Sequence, residues 1–251
     1  MATLLLKKSY RHKDLKEVKF NDLWNGYGIF TTMRVIGRSA KILFYKTHID
    51  NLIKSLNKYN IRKKNLRKNI TNLIKSNLKK NKKYDHLLRV ASNNRIISIS
   101  LRKRPIPKSI FKLKLVNYKR VDAKYKNLKY KKILNILSKL DPTKFDIALY
   151  KNKKLLESGT SNLLFVKNGT IYSPKKDIYK GITFKFFLKK VKINLKDIFV
   201  KNLSYYDEIL LIGSGKGVVS VSEIENIGWK RKSLKIYEKI FKIYNNEIFY
   251  S

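Results

Sequence analysis

The most constraining feature of this chain is a polar cluster followed by an apolar run and a turn, over residues 157–174. Glu157 opens the cluster, and the small residues Ser-Gly-Thr-Ser-Asn follow it. The run Leu-Leu-Phe-Val then leads to Asn168 and Gly169, a dipeptide typical of tight turns between strands. The stretch therefore predicts two adjacent strands, with one carboxylate and several hydroxyl groups just ahead of the first.

Composition indicates a globular protein. The chain has 251 residues, 43% hydrophobic and 30% charged, which is enough to bury a sizeable core. No apolar run approaches the ~20 residues of a membrane span, and the leucines at positions 4–6 are too few for a secretory leader. The chain has no cysteine, and its three scattered histidines form no metal-ligand set. We therefore expect a cytoplasmic protein without a metal.

The net charge of +42 raises the question of a nucleic-acid partner. However, lysines are spread along the whole chain, and the densest run, residues 75–83, has no aromatic side chain for base stacking. Lysine, isoleucine, asparagine and tyrosine are abundant together, as in proteins encoded by AT-rich genes. We therefore do not expect nucleic acid to be the partner, whereas a positive potential would steer an anionic small-molecule substrate to a cleft.

Hydrophobic periodicity predicts two α+β domains, residues 1–118 and 119–251. The predicted strands are 1–6, 28–35, 40–44, 86–91, 96–102, 112–117, 145–150, 162–167, 170–173 and 208–212. The predicted helices are 47–59, 65–78, 131–140, one that opens at 181, and the tail 233–249.

Several segments stand in a fixed order around the polar cluster: GIFTTMRV at 28–35, HIDNL at 48–52, KILNIL at 132–137 and GIT at 181–183. Together with Glu157, they resemble the class IV (fold-type IV) pyridoxal-phosphate enzymes, which include D-amino-acid and branched-chain aminotransferases and 4-amino-4-deoxychorismate lyase. The resemblance covers about residues 20–225. It implies a two-domain fold with the cofactor in the interdomain cleft, and a homodimer.

The resemblance assigns the Schiff-base lysine to Lys132, in the C-terminal domain. Composition alone does not select it, and Lys129 and Lys131 remain alternatives in this lysine-rich stretch. Such an amine must be partly desolvated, so that its neutral form can attack an aldehyde. The spacing to Glu157 is shorter than the family usually shows, which we interpret as a trimmed loop at residues 141–144.

The resemblance also implies how the cofactor is held. Glu157 would face the pyridine nitrogen and keep it protonated; its alternative is an exposed loop residue beside two lysines. A phosphate would bind at the start of a helix and at a glycine-rich turn. The residues carried over for these two contacts are Ile182, Thr183, Ser214 and Gly215.

One position departs from the family pattern. Asn51 stands where the family has an arginine that grips the phosphate. A neutral donor there would weaken cofactor binding by roughly tenfold, since hydrogen bonds to charged groups are the stronger ones. Lys54 or Lys216 could supply the missing charge, or the protein no longer needs the cofactor.

The segment at 28–35 carries the finer resemblance. Strand alternation places Phe30, Thr32 and Arg34 on one face, and in the family that face looks into the active site. The Phe-Thr-Thr-x-Arg sequence is more similar to that of aminodeoxychorismate lyase than to those of the aminotransferases. Arg34 and Arg89 could then bind substrate carboxylates bidentately, or be merely solvated, and Thr32 is a candidate for polarising the leaving group.

We therefore expect a pyridoxal-phosphate enzyme of the folate pathway that converts 4-amino-4-deoxychorismate to 4-aminobenzoate and pyruvate. The first alternative is an aminotransferase for branched-chain or D-amino acids, because the two reactions share their early proton removal. The second is a cofactor-free basic binding protein, motivated by Asn51 and the charge.

Overall fold

A computed structural model of the chain describes residues 4–79 and 81–250. The chain forms two compact units, the first of Met1–Arg104 with Tyr125–Lys132 and the second of Pro105–Lys124 with Ile133–Ser251. This division differs from the predicted one, because the first unit is discontinuous and Lys132 groups with it. No helix in the described part of the chain is long and apolar enough to cross a membrane.

The first unit contains a six-stranded antiparallel sheet in the order β2-β1-β6-β5-β3-β4. Its strands are β1 (Leu4–Arg11), β2 (Glu17–Val18), β3 (Ile29–Gly37), β4 (Lys41–Ile42), β5 (Tyr84–Ser92) and β6 (Ile96–Lys103), and its helices are α1 (Tyr45–Lys58) and α2 (Leu66–Asn77). Alternate residues of β3 such as Met33 and Val35 pack against Ile49 and Leu56 of α1. The core therefore lies on one face of the sheet and leaves the other face for polar side chains.

The segment Tyr125–Lys132 belongs to the first unit because its backbone bonds to the chain at β3. The amide of Phe30 donates to the carbonyl oxygen of Lys126 at 2.9 Å, and the amide of Leu128 donates to the carbonyl oxygen of Gly28 at 3.0 Å. A Cβ at Gly28 would collide with the carbonyl oxygen of Ser92, so this close approach of backbones requires glycine.

The second unit contains two sheets and the remaining helices. Its strands are β7 (Lys112–Asn117), β8 (Phe145–Lys151), β9 (Lys154–Ser158), β10 (Asn162–Lys167), β11 (Thr170–Pro174), β12 (Asn194–Lys196), β13 (Ile198–Phe199), β14 (Glu208–Gly213), β15 (Gly217–Ser220), β16 (Glu223–Ile224) and β17 (Trp229–Lys230). Its helices are α3 (Lys131–Leu137), which starts at the boundary with the first unit, α4 (Ile182–Lys190) and α5 (Lys235–Tyr250).

The two sheets of the second unit share one hydrophobic core. Their orders are β12-β11-β10-β14-β15 and β13-β9-β8-β7-β16-β17. Leu163 and Leu211 from the first of these sheets pack in the same cluster as Leu113 and Leu155 from the second. Helices α4 and α5 pack against β14 and β15. This core holds the ends of β9 and β14, which carry the predicted site residues of this unit.

Most predicted elements are present, with ends shifted by a few residues. The hairpin of residues 162–174 is confirmed, whereas the predicted helix 131–140 ends at Leu137. The predicted strand 1–6 corresponds to β1, of which residues 1–3 lie outside the described residues. Strand β9 was missed because it follows a lysine-rich turn and carries Glu157, and β15 was missed because it is short and begins with glycine.

Candidate active site

Glu157 is a buried strand residue of the second unit. It lies near the end of β9 with 6% of its surface exposed, which excludes the alternative of an exposed loop residue. The Nε of Arg120 donates a 2.7 Å hydrogen bond to its Oε1, and the amide of Tyr179 donates to its Oε2 at 3.2 Å. Arg120 is also buried, and its Nη2 donates to the carbonyl oxygen of Ala123 at 2.8 Å. The carboxylate is therefore held in one place by a charged and a neutral donor.

The polar residues after Glu157 are organised by a second buried carboxylate, Asp146 of β8. The Oγ1 of Thr160 donates to Asp146 Oδ2 at 2.7 Å, and the Oγ of Ser158 donates to the same oxygen at 3.2 Å. The Nζ of Lys216 lies 3.8 Å from that oxygen. Asp146 was not among the predicted site residues, since a single aspartate inside an apolar strand has no motif of its own. The structure shows that residues 158–160 form a fixed loop.

The two segments predicted to hold a phosphate are neighbours in the second unit. Helix α4 begins at Ile182 with Gly181 as its N-cap, so its first amide groups have no partner within the helix. The Oγ1 of Thr183 lies 3.3 Å from the Oγ of Ser214, and Gly215 follows Ser214 in the turn between β14 and β15. The structure therefore brings together a helix N-terminus and two hydroxyl groups, a combination suited to an anion.

The position that departs from the family pattern lies in the first unit. Asn51 is half-buried on α1, and Lys54, one turn further on, is exposed. Lys216 is in the second unit, where its ammonium group is already near Asp146. Of the two cations considered as replacements for the missing arginine, Lys216 therefore has a carboxylate partner inside its own unit.

Lys132 is the second residue of α3 and is exposed, as are Lys131 and Lys129. Burial therefore does not separate the three candidates, and the sequence register remains the basis for choosing Lys132. We expected the amine of Lys132 to be partly desolvated. In the structure Lys132 is exposed, because α3 begins in an exposed stretch. Ile133 is the buried residue of this helix.

On β3, β5, β6 and the residue that follows β6, the face that points away from the core of the first unit carries four arginines and one aspartate. We call it the arginine face; these residues are Arg34, Asp85, Arg89, Arg102 and Arg104. Asp85 Oδ1 accepts hydrogen bonds from the Nε of Arg34 and the Nε of Arg104, both at 2.9 Å. Burial acts to raise the pKa of Asp85, but these two guanidinium groups hold that pKa below its usual value. The single carboxylate thus neutralises only part of the positive charge.

Arg89 of β5 has no comparable partner. Its Nε and Nη2 are buried, and neither donates a hydrogen bond to any residue in the ranges 4–79 and 81–250. Burial lowers the pKa of Arg89 to about 9, against a weaker opposing attraction from Asp22. In the ladder, Arg89 lies opposite Thr32 of β3. A buried donor without an acceptor is costly, so this pair of nitrogens is a candidate for contact with a ligand.

Aromatic side chains surround Arg89. Its guanidinium carbon lies 3.7 Å from the ring centre of Trp24 and 5.2 Å from that of Phe30. The ring of Tyr130 lies 5.7 Å from Phe30 and 6.0 Å from Trp24. The structure therefore confirms that Phe30, Thr32 and Arg34 share one face, but it engages Arg34 with Asp85. Trp24 and Tyr130 were missed, because no repeat or motif marks them in the sequence.

The comparison with protein families decides the class of the chain. The family model described as amino-transferase class IV matches residues 28–224. The chain belongs to the class IV aminotransferase family. The family consists of pyridoxal-phosphate-dependent enzymes, which confirms the cofactor and the enzyme class expected from the sequence. No curated protein matches the chain.

Solved structures agree with this class IV fold. A branched-chain aminotransferase from Thermoproteus uzoniensis is 18% identical, with a TM-score of 0.78 over 95% of this chain and 93% of its own. A structure assigned as a 4-amino-4-deoxychorismate lyase from Legionella pneumophila is 19% identical, with a TM-score of 0.72 over 94% and 97%. A hypothetical aminotransferase from Mycobacterium tuberculosis, in its PLP-bound form, is 13% identical, with a TM-score of 0.71 over 96% and 99%. At these identities the similarity shows the fold.

The donor groups of this class IV chain fit pyridoxal phosphate. The second unit supplies a buried carboxylate, Glu157, for a protonated ring nitrogen, and the hydroxyl groups of Thr183 and Ser214 beside a helix N-terminus for the phosphate. Sequence reasoning missed Arg120, which donates to Glu157, and Asp146, which accepts from Ser158 and Thr160.

Proposed function

We propose that this class IV protein is a lyase that converts 4-amino-4-deoxychorismate to 4-aminobenzoate and pyruvate. The observation that carries the proposal is the arginine face, with the unpaired Nε and Nη2 of Arg89 beside Phe30. The substrate has a six-membered ring and two carboxylates, which arginine binds as planar bidentate pairs. The aliphatic side chain of a branched-chain amino acid, the alternative substrate, has no charge to pair with these arginines.

In this proposal each residue has a defined task. Lys132 would hold the cofactor until the amino group of the substrate displaces it, and the freed amine would then take the proton from the substrate carbon that bears that amino group. Glu157, held by Arg120, keeps the ring nitrogen of the cofactor protonated, and the bound cofactor supplies an electron sink. Thr32 donates a hydrogen bond to the ether oxygen of the enolpyruvyl group. The bond between the ring carbon and this ether oxygen breaks, and the ring becomes aromatic. The three-carbon fragment takes up a proton to give pyruvate.

The phosphate contacts follow from the second unit. We propose that the amides of Ile182 and Thr183, with Ser214 and Gly215, hold the phosphate. Asn51 adds a neutral contact where the family has an arginine. This predicts a cofactor that is held less tightly than in relatives with that arginine, so assays need added pyridoxal phosphate.

The second candidate is an aminotransferase. The aromatic side chains Trp24, Phe30 and Tyr130 favour it, because they could pack on an apolar amino-acid side chain as well as on a ring. The two reactions separate by product. Pyruvate release from 4-amino-4-deoxychorismate supports the lyase, and transfer of an amino group from leucine to a 2-oxo acid without pyruvate release contradicts it.

The role of Lys132 is tested by trapping it. Borohydride reduction of the loaded protein, followed by peptide mass spectrometry, should place a phosphopyridoxyl group on Lys132. Lys132→Ala should lose the group and the pyruvate release, whereas the matched variant Lys131→Ala, at an equally exposed neighbour, should keep both. Modification at Lys129 or Lys131 instead would contradict the assignment. A protein that takes up no cofactor would favour the basic binding protein.

We further propose that the protein is a homodimer, as the family resemblance implies. Gel filtration with light scattering should give twice the 29.7 kDa mass of the chain. A monomer that is active in the pyruvate assay would show that the dimer is not needed for the reaction.

A further inference from the structure

The two unpaired nitrogens of Arg89 lie on one edge of its guanidinium group. Nε–H and one Nη–H point the same way and form the fork that a carboxylate fills with two parallel hydrogen bonds. In Arg89 both nitrogens are buried, and no described residue accepts a hydrogen bond from either. A carboxylate placed in the plane of this edge would satisfy both donors.

Trp24 sets the orientation of that edge. Its indole face lies 3.7 Å from the guanidinium carbon, the distance of a stacked cation–π contact. Trp24 in turn packs edge-on against Phe30, with ring centres 4.8 Å apart. A guanidinium group donates its hydrogen bonds in its own plane, so the stacking on Trp24 fixes the direction from which a carboxylate can bind the Nε–Nη2 edge.

We propose that Trp24 is a specificity-determining residue. It holds the guanidinium plane of Arg89 so that the Nε–Nη2 edge binds the carboxylate of a ring acid, while Trp24, Phe30 and Tyr130 contact the ring. This inference rests on the proposed function, which supplies such a substrate and a benzoate-like product. It goes further because it assigns the orientation of Arg89 to Trp24, a residue to which the resemblance gives no role.

A ligand can reach the Nε–Nη2 edge of Arg89 only if neighbouring side chains move. Since Nε and Nη2 have no contact with solvent, a ligand must displace a neighbour to reach them. Trp24 and Tyr130 are only half-buried, and Trp24 precedes the exposed residues 25–27. Trp24 therefore changes its surroundings when the ligand binds, which gives a direct optical readout.

The test measures ligand binding by the full chain loaded with pyridoxal phosphate. Isothermal titration with benzoate should show saturable binding, and benzamide, which has the ring but no charge, should not bind. Trp24→Leu should weaken benzoate binding by roughly tenfold, the scale of a desolvated cation–π contact. Trp24→Phe, which keeps an aromatic face, should restore most of it, and Arg89→Lys, which lacks the fork, should not bind measurably.

A matched control comes from the neighbouring exposed aromatic residue. Tyr27→Leu removes a ring that contacts Tyr59 and should leave benzoate affinity unchanged. The chain has two tryptophans, so Trp229→Phe leaves Trp24 as the single tryptophan, and its fluorescence should then change with benzoate. In the pyruvate assay, Trp24→Leu should raise KM by roughly tenfold with little change in kcat.

The inference and the proposed function can fail separately. Equal benzoate affinity in the original chain, Trp24→Leu and Trp24→Phe would overturn the role of Trp24, even if pyruvate is released. Benzoate binding that depends on Trp24 and Arg89, without pyruvate release from 4-amino-4-deoxychorismate, would leave carboxylate binding by Arg89 in place and remove the lyase. If Trp24→Leu does not fold, wild-type-like affinity in Trp24→Phe with none in Arg89→Lys supports carboxylate binding by Arg89, and no benzoate binding by the original chain overturns it.

Discussion

Arg89 in the first unit and Arg120 in the second have little contact with solvent, but they differ in their hydrogen-bond partners. In the second unit, Arg120 donates to the carboxylate of Glu157 and to a backbone carbonyl. In the first unit, two nitrogens of Arg89 have no acceptor among the described residues, although an indole covers one face of the group. The difference indicates that Arg120 is part of the support of the site, whereas Arg89 is left open for a ligand. Replacing Arg120 with an apolar residue should therefore destabilise the protein, whereas replacing Arg89 should stabilise it.

The largest effect is expected from removing Arg120. Arg120→Leu leaves Glu157 as a buried carboxylate without its charged partner, which should destabilise the second unit by about 3–5 kcal/mol. Urea unfolding measures this change. Adding Glu157→Leu should recover much of the loss, because two apolar side chains replace the whole ion pair. A loss below about 1 kcal/mol in the single variant would show that the pair is not the support we describe.

A pH change should affect the first unit through His48. His48 Nδ1 lies 2.7 Å from the Oγ1 of Thr31, and burial, aided by the charge of Lys126, lowers its pKa to about 3. The unfolded chain takes up a proton near its ordinary pKa of 6.5, so this stability is fully present above that pH and is lost as the pH falls toward 3. At about pH 5 the loss should be about 2 kcal/mol.

Thermal unfolding over this pH range checks the prediction for His48. The variant His48→Gln keeps a hydrogen-bonding partner for Thr31 but does not titrate, so its stability should fall less steeply over the same range. An equal slope in both proteins would assign the acid sensitivity to other groups, such as the carboxylates.

Removing Arg89 should have the opposite sign to removing Arg120. Arg89→Met deletes buried donors without acceptors and loses the contact with Trp24, so the ligand-free protein should gain about 1 kcal/mol of unfolding free energy. The same variant should lose substrate binding. Arg34→Met is the matched control, since Arg34 donates to Asp85 and its removal should not stabilise. A clear destabilisation by Arg89→Met would end the contrast between the two arginines.

The smallest effect concerns the phosphate end of the site in the second unit. Ser214→Ala removes one hydroxyl donor and should weaken pyridoxal-phosphate binding by roughly threefold, the scale of one neutral hydrogen bond. Equilibrium titration of the cofactor measures this change. Ser138→Ala, at an exposed serine just after α3 whose hydroxyl donates to the carbonyl oxygen of Asn135, is the control and should have no effect.

Much of the fold could be predicted from the sequence. Residues 45–58 and 66–77 show the helical spacing of apolar side chains, and Asn168–Gly169 marks the turn of the β10–β11 hairpin. These helices and this hairpin could be predicted because they depend on residues that are close together in the sequence. Phe30, Thr32 and Arg34 were placed on one face by strand alternation alone.

The partners of the site residues could not be predicted in the same way. The pairing of Arg120 with Glu157 joins positions 37 residues apart, and the stacking of Trp24 on Arg89 joins a turn residue before β3 to a residue of β5. In a chain with 59 lysines and arginines, no single cation stands out by type. Burial and pairing distinguish them, and both are properties of the folded chain.

The return of residues 125–132 to the first unit bears on how the protein is made. The stretch 105–124, including all of β7, must leave the ribosome before the segment that bonds to β3 exists. A nascent chain can therefore form the six-stranded sheet early, but it adds this last piece only when more than half of the polypeptide has been synthesised. The lysine proposed to hold the cofactor ends that piece, so the reactive amine is synthesised after every strand of the sheet that it joins.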